Sequence, residues 1–126
     1  MHSPTLLHSF RYAFAGLWRA LRTQRNLRIH LLAAMAVTAM GLWLHLDALR
    51  WAVLALTIAL VFFAEMVNTV TEAAIDLVTE EYHPLAKVAK DVSAGAVLVT
   101  ALAAVVVGLL ILGPPLLVEL GLAVAD

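Results

Sequence analysis

Three long apolar stretches separated by short polar segments dominate the pattern of this chain. The first, IHLLAAMAVTAMGLWLHL, covers 29–46; the second opens as WAVLALTIALVFFA and runs over 51–76; the third covers 90–113 and contains VSAGAVLVTALAAVVVGLLILG. An α-helix needs roughly 20 mainly apolar residues to cross hydrocarbon, so the pattern predicts three transmembrane helices. Pro114 and Pro115 then predict a stop, leaving 114–126 as a C-terminal tail. Upstream, Phe10, Phe14, Leu17, Trp18 and Leu21 recur at three- and four-residue spacing while the arginines fall mostly elsewhere. That spacing predicts an amphipathic surface helix over 4–28, lying in the headgroup layer. No repeat or linker divides the chain, so residues 1–126 read as one all-α domain.

Composition sets the environment. The chain has 126 residues, 63% of them hydrophobic and 13% charged, with a mean hydropathy of +0.96, far from the average of soluble domains. It reads as an integral membrane protein, and no nucleic-acid partner is expected. The absence of cysteine excludes disulfides and thiolate metal sites. The net charge of -1 says little, but its distribution says more. Arg11, Arg19, Arg22, Arg25 and Arg28, with Lys87 and Lys90, mark one side; Arg50 alone marks the other. This asymmetry predicts a multi-pass protein with a cytoplasmic N-terminus and an external C-terminus. The spread of arginines also argues against a signal peptide.

The second apolar stretch ends unusually. Within FAEMVNTVTEAAIDLV, Glu65, Asn68, Glu72 and Asp76 are spaced by three, four and four residues, which places them within roughly 80° on one helix face. Glu65 is about 20 Å along the span and Asp76 about 16 Å further on, so the stripe runs from inside the membrane to its surface. Capping of a helix end would account for Asp76 alone. It does not account for Glu65, because an ionisable group inside a span is costly and faces protein or water. A row of carboxylates with an amide suits magnesium held between protein and phosphate. A deeper carboxylate suits proton abstraction.

A second polar segment, EEYHPLAKVAKDVSAGAV, begins at Glu80, and Pro84 opens the helix that becomes the third span. Lys90 adjoins Asp91 at the level of Glu72 and Asp76, where an ammonium can hold phosphate oxygens. Lys87 reads as a membrane anchor. His83 is open to either reading, whereas His2, His8, His30 and His45 are too scattered for a metal motif and read as interfacial side chains.

The run from Glu65 through Asn68, Thr69 and Glu72 to Asp76, followed by EYHPLAKVAKDVSAGAVL, resembles the prokaryotic diacylglycerol kinase family of small integral-membrane lipid kinases, from Phe10 to Gly113. RNLRIHLLAA and HPLAKVAKD resemble its undecaprenol kinase branch more than its diacylglycerol-specific one. The resemblance implies ATP- and Mg2+-dependent phosphorylation of a membrane lipid alcohol at the bilayer surface by a homotrimeric helical bundle. It implies Glu65 as catalytic base, Glu72 as a metal ligand, and a nucleotide site drawn from Tyr12, Asn68, Asp76, Glu81, Tyr82, His83, Lys90 and Asp91. Where the family usually has a metal-binding glutamate ahead of the first span, this chain has Gln24, a neutral oxygen donor with less attraction for a hard cation.

No GxxxxGK[ST], GxGxxG, HRD or DFG sequence is present, so phosphates are not cradled as in soluble kinases. Positioning and charge neutralisation suffice for phosphoryl transfer. The expected product is undecaprenyl phosphate, with phosphatidic acid from diacylglycerol as the alternative. A proton-coupled transporter subunit would also place carboxylates in a span, and a membrane scaffold would use the stripe for helix pairing.

Overall fold

The computed structural model describes residues 5–126, and residue 4 of the expected surface helix and His2 lie outside them. Four helices follow one another: α1 (Leu6–Thr23), α2 (Arg25–Trp43), α3 (Ala48–Val78) and α4 (Pro84–Glu119). The last three are each long and apolar enough to cross a membrane. At 1.5 Å per residue, the 31-residue α3 and 36-residue α4 are about 46 and 54 Å long. Both exceed the roughly 30 Å of hydrocarbon in a bilayer. They therefore overhang it, and the overhang carries polar chemistry.

α3 packs along α4, α2 lies against α3, and α1 touches α2. Among the described residues few are buried: Leu27, Gly41, Leu54, Val61, Ala64, Glu65 and Leu112. The chain exposes 9683 Å², whereas a compact soluble monomer of 13.6 kDa exposes roughly 6,600 Å². Leucines and valines along α3 and α4, among them Leu56, Leu60, Val70, Leu102, Val106 and Leu109, are exposed, as they are where lipid or another protein surface replaces water.

Besides the end of α2, which comes at Trp43 rather than at 46, three boundaries differ from those expected. The surface helix stops at Thr23, and residues 25–28 form the first turn of α2 rather than the end of α1. Gln24 is extended between them (φ -101°, ψ 111°). The guanidinium of Arg28 folds back to donate to the carbonyls of Leu21 (3.3 Å) and Arg22 (2.7 Å). These are among the carbonyls that a helix end leaves without partners, so one helix caps the other. Leu27, 1% exposed, anchors the corner.

The second difference is at the start of α3, which begins one turn before residue 51. Asp47 caps it by accepting from the Arg50 N–H at 2.9 Å. The third is at the end of α4, which continues through Pro114 and Pro115 to Glu119 instead of stopping at Gly113. Prolines remove N–H donors but keep a helical φ, and Gly113 has no Cβ to clash with the ring that follows it. The stop is Gly121, at φ 72°. Its N–H bonds to the Val118 carbonyl and that of Leu122 to Leu117, a left-handed glycine cap.

Candidate active site

The polar face of α3 grades with depth. Glu65 is buried, Asn68 and Glu72 are half-buried, and Asp76 is exposed. Helical spacing aligns the four, and the burial of α3 against its neighbours sets how much water each meets. Glu65 is 2% exposed, and its Oε2 has no hydrogen-bond partner. Asn68 Nδ2 donates to Glu72 Oε1 at 3.4 Å, while Asn68 Oδ1 is buried without a partner. Thr69 is occupied within the helix, donating to the Glu65 carbonyl at 2.9 Å.

Beyond Asp76 the α3–α4 connection folds over an open cleft of about 370 Å³. Its walls bring together six of the residues expected to bind nucleotide: Asp76, Glu81, Tyr82, His83, Lys90 and Asp91. Glu80 and Lys87 line it as well. The pairing of charges is not the sequential one. Lys90 Nζ donates across to Asp76 Oδ1 at 2.6 Å, tying α4 to α3. Asp91 pairs instead with Lys87, one turn away. Lys87, expected to be only an anchor, is thus part of the cleft. His83 caps α4, its Nδ1 accepting from the Leu85 N–H at 3.1 Å, with Pro84 in the first turn.

Tyr12 and Gln24 do not line this cleft. Tyr12 lies on α1, exposed, its ring stacked on His8 with centroids 6.4 Å apart. Gln24 is half-buried in the α1–α2 turn. Among the described residues no three His, Asp or Glu side chains gather as a metal-binding set.

One neighbour of the stripe escaped the sequence reading. His30, taken as an interfacial side chain, reaches from α2 and sets its Nε2 3.7 Å from Glu65 Oε2. Its side chain is 22% exposed. The available signal was a lone histidine in an apolar run, and nothing in the spacing of α2 points to α3.

A model of the prokaryotic diacylglycerol kinase family matches residues 11–112. The chain is 54% identical over 116 residues to a diacylglycerol kinase of Synechocystis, covering 91% of this chain and 66% of that protein. It is 44% identical over 108 residues to the undecaprenol kinase of Bacillus subtilis, covering 86% and 88%. To a diacylglycerol kinase of Escherichia coli it is 32% identical over 95 residues, covering 75% and 78%. With four-fifths of its length inside the family match and three helices long and apolar enough to cross a membrane, one of them bearing the carboxylate stripe, the chain belongs to the prokaryotic diacylglycerol kinase family of membrane lipid kinases.

Proposed function

We propose that this protein transfers the γ-phosphoryl group of ATP to the hydroxyl of a membrane lipid, with undecaprenol as the acceptor and undecaprenyl phosphate as the product. The observation that carries the reading is one helix, α3, bearing a buried carboxylate at Glu65 and leading outward to a charged cleft beyond Asp76. Lipid and nucleotide can then approach the same row of oxygens from opposite media.

In this reading Glu65 takes the proton of the acceptor hydroxyl as its oxygen bonds to the γ-phosphorus. The bond from that phosphorus to the β–γ bridging oxygen breaks, and ADP leaves. The ammonium groups of Lys90 and Lys87 hold phosphate oxygens, exchanging their carboxylate partners for the nucleotide. Glu81, Tyr82, His83, Asp76 and Asp91 shape the nucleotide cleft, and Tyr12 meets the adenine. Burial of Glu65 keeps water from competing with the lipid hydroxyl.

The donors also suit magnesium. Hard oxygens are what Mg2+ takes, commonly one or two carboxylates with substrate phosphates and water. Glu72, and the Asn68 Oδ1 that is buried without a partner, offer that chemistry, with Gln24 as a further neutral donor. Bound with ATP, the ion would neutralise charge on the phosphates.

Homotrimer assembly is supported by the apolar area left exposed on a single chain and by the absence of Tyr12 and Gln24 from the lining of the cleft, since another subunit can supply those two residues. The small residues Ala94, Gly95, Ala96, Ala101, Ala104 and Gly108 on α4 allow close helix approach. The N-terminus and the cleft lie on the cytoplasmic side of the inner membrane, where ATP is.

The undecaprenol assignment rests on RNLRIHLLAA and HPLAKVAKD and on the match to the Bacillus enzyme over 88% of its length. The 54% identity to a protein named diacylglycerol kinase favours diacylglycerol as a second reading. Purified protein given labelled ATP, Mg2+ and each lipid separately decides: labelled undecaprenyl phosphate supports the proposal, phosphatidic acid alone supports the second reading, and no lipid product with either overturns both.

A further inference from the structure

His30 stands apart from the nucleotide cleft, on a helix that contributes nothing to it. It lies at the wall of a narrow cavity of about 100 Å³ between α2, α3 and α4, lined otherwise by alanines, aliphatic side chains, Phe62, Gly108 and Thr57. The Thr57 hydroxyl already donates to the Val53 carbonyl at 2.7 Å. His30 is therefore the polar side chain of that cavity with a group left for Glu65. Glu65 in turn has one need that its own helix does not meet, because Oε2 is buried and without a hydrogen bond. A buried acceptor left unsatisfied loses the hydration it had in water and gains nothing in return, so a nearby donor is favoured. The separation from His30 Nε2 is 3.7 Å, and a movement of roughly 0.7 Å closes it to an ordinary hydrogen bond.

We infer that His30 is a positioning residue for Glu65: its imidazole N–H holds Oε2, fixes the rotation of the carboxylate, and leaves Oε1 toward the acceptor hydroxyl. The placement is selective because Glu65 is a flexible side chain whose buried Oε2 has no hydrogen bond to hold it. Without a fixed donor its two oxygens share several orientations, and only some aim at the lipid. Misplacement of a reacting group by about 1 Å costs up to 100-fold in rate. His30 acts at a distance from ATP, so its contribution falls on turnover and not on nucleotide affinity.

This inference rests on the reading of Glu65 as the base, and a double-mutant cycle separates the two. The probes are His30→Leu, which fills the volume without a donor, His30→Gln, which keeps an N–H donor, and Glu65→Gln, each alone, with His30→Leu also combined with Glu65→Gln. Turnover and the KM for ATP are measured with undecaprenol or diacylglycerol, whichever the wild type uses. The expected result is a kcat reduced about 10- to 100-fold in His30→Leu with the KM for ATP within about twofold. His30→Gln recovers most of that loss, and adding His30→Leu to Glu65→Gln lowers the residual rate no further. A Glu65→Gln enzyme with near wild-type turnover overturns the base reading and the inference with it. An inactive Glu65→Gln enzyme beside an unaffected His30→Leu enzyme overturns the role of His30 alone. So do equal losses in His30→Leu and His30→Gln, or losses that multiply in the double variant, because each marks general damage to packing.

Discussion

Replacing Lys90 with alanine separates a structural role for its ammonium from a nucleotide-binding one, because the two roles differ in size. Lys90 and Asp76 form an ion pair of 2.6 Å between α4 and α3, with side chains 39% and 62% exposed. Pairs exposed to that extent contribute about 0.2–1 kcal/mol, so Lys90→Ala should lower stability by less than about 1 kcal/mol. A charged hydrogen bond to phosphate is worth about 1.5–3 kcal/mol, equivalent to roughly 10- to 150-fold in affinity. Partial exposure, and the Asp76 contact given up when ATP binds, move the expectation to the lower end, about tenfold. The assay is transfer of labelled phosphate to lipid over a range of ATP concentrations at fixed lipid and saturating Mg2+, beside denaturant unfolding in the same detergent. A KM for ATP raised about tenfold with little loss of stability is expected. An unchanged KM would refute the assignment of Lys90 to the phosphates. A loss of several kcal/mol in stability would show that the pair holds the helices together and that exposure has been misjudged.

Three further outcomes follow from other parts of the molecule. Glu72→Ala should raise the Mg2+ concentration for half-maximal activity and remove most turnover, whereas Gln24→Glu, by adding a charged oxygen donor, should lower that concentration; Mg2+ titrations of both variants check this, and an unchanged or higher requirement in the glutamate variant removes Gln24 from the metal site. Gly41→Ala would place a Cβ 2.7 Å from the Trp51 ring and 3.1 Å from Leu46 Cδ1, and this overpacking should outweigh the helix propensity gained, with a net loss of about 1–2 kcal/mol read by denaturant unfolding. Reporters active on one side only, fused to each terminus, should place the N-terminus in the cytoplasm and the C-terminus outside, and two termini on one side would contradict the three-span orientation.

Much of this was legible in the chain because it is local. Apolar run length and spacing need no tertiary information, so three helices long and apolar enough to span and an N-terminal amphipathic helix follow from counting. The stripe from Glu65 to Asp76 is likewise a property of one helix, where three- and four-residue spacing places side chains on one face whatever packs against it. The motif that runs on to Asp91 carries the family by residue identity alone.

Other features depended on how the helices meet. The partner of Lys90 is Asp76 and that of Asp91 is Lys87, an exchange set by the register of α4 on α3 that adjacency in sequence misrepresents. The break at Gln24 has no glycine or proline to announce it and depends on Arg28 returning to the carbonyls of α1. Conversely, Pro114 and Pro115 announce a break that does not occur, because the helix tolerates their missing donors and ends only where Gly121 adopts a positive φ. His30 is the clearest case. Its neighbour Glu65 lies on another helix, and which residues face each other across two helices is decided by their rotation and axial shift, quantities fixed by side-chain packing and absent from the periodicity of either helix alone. The sequence by itself determined which residues share a helix face; only the tertiary structure decided which faces meet.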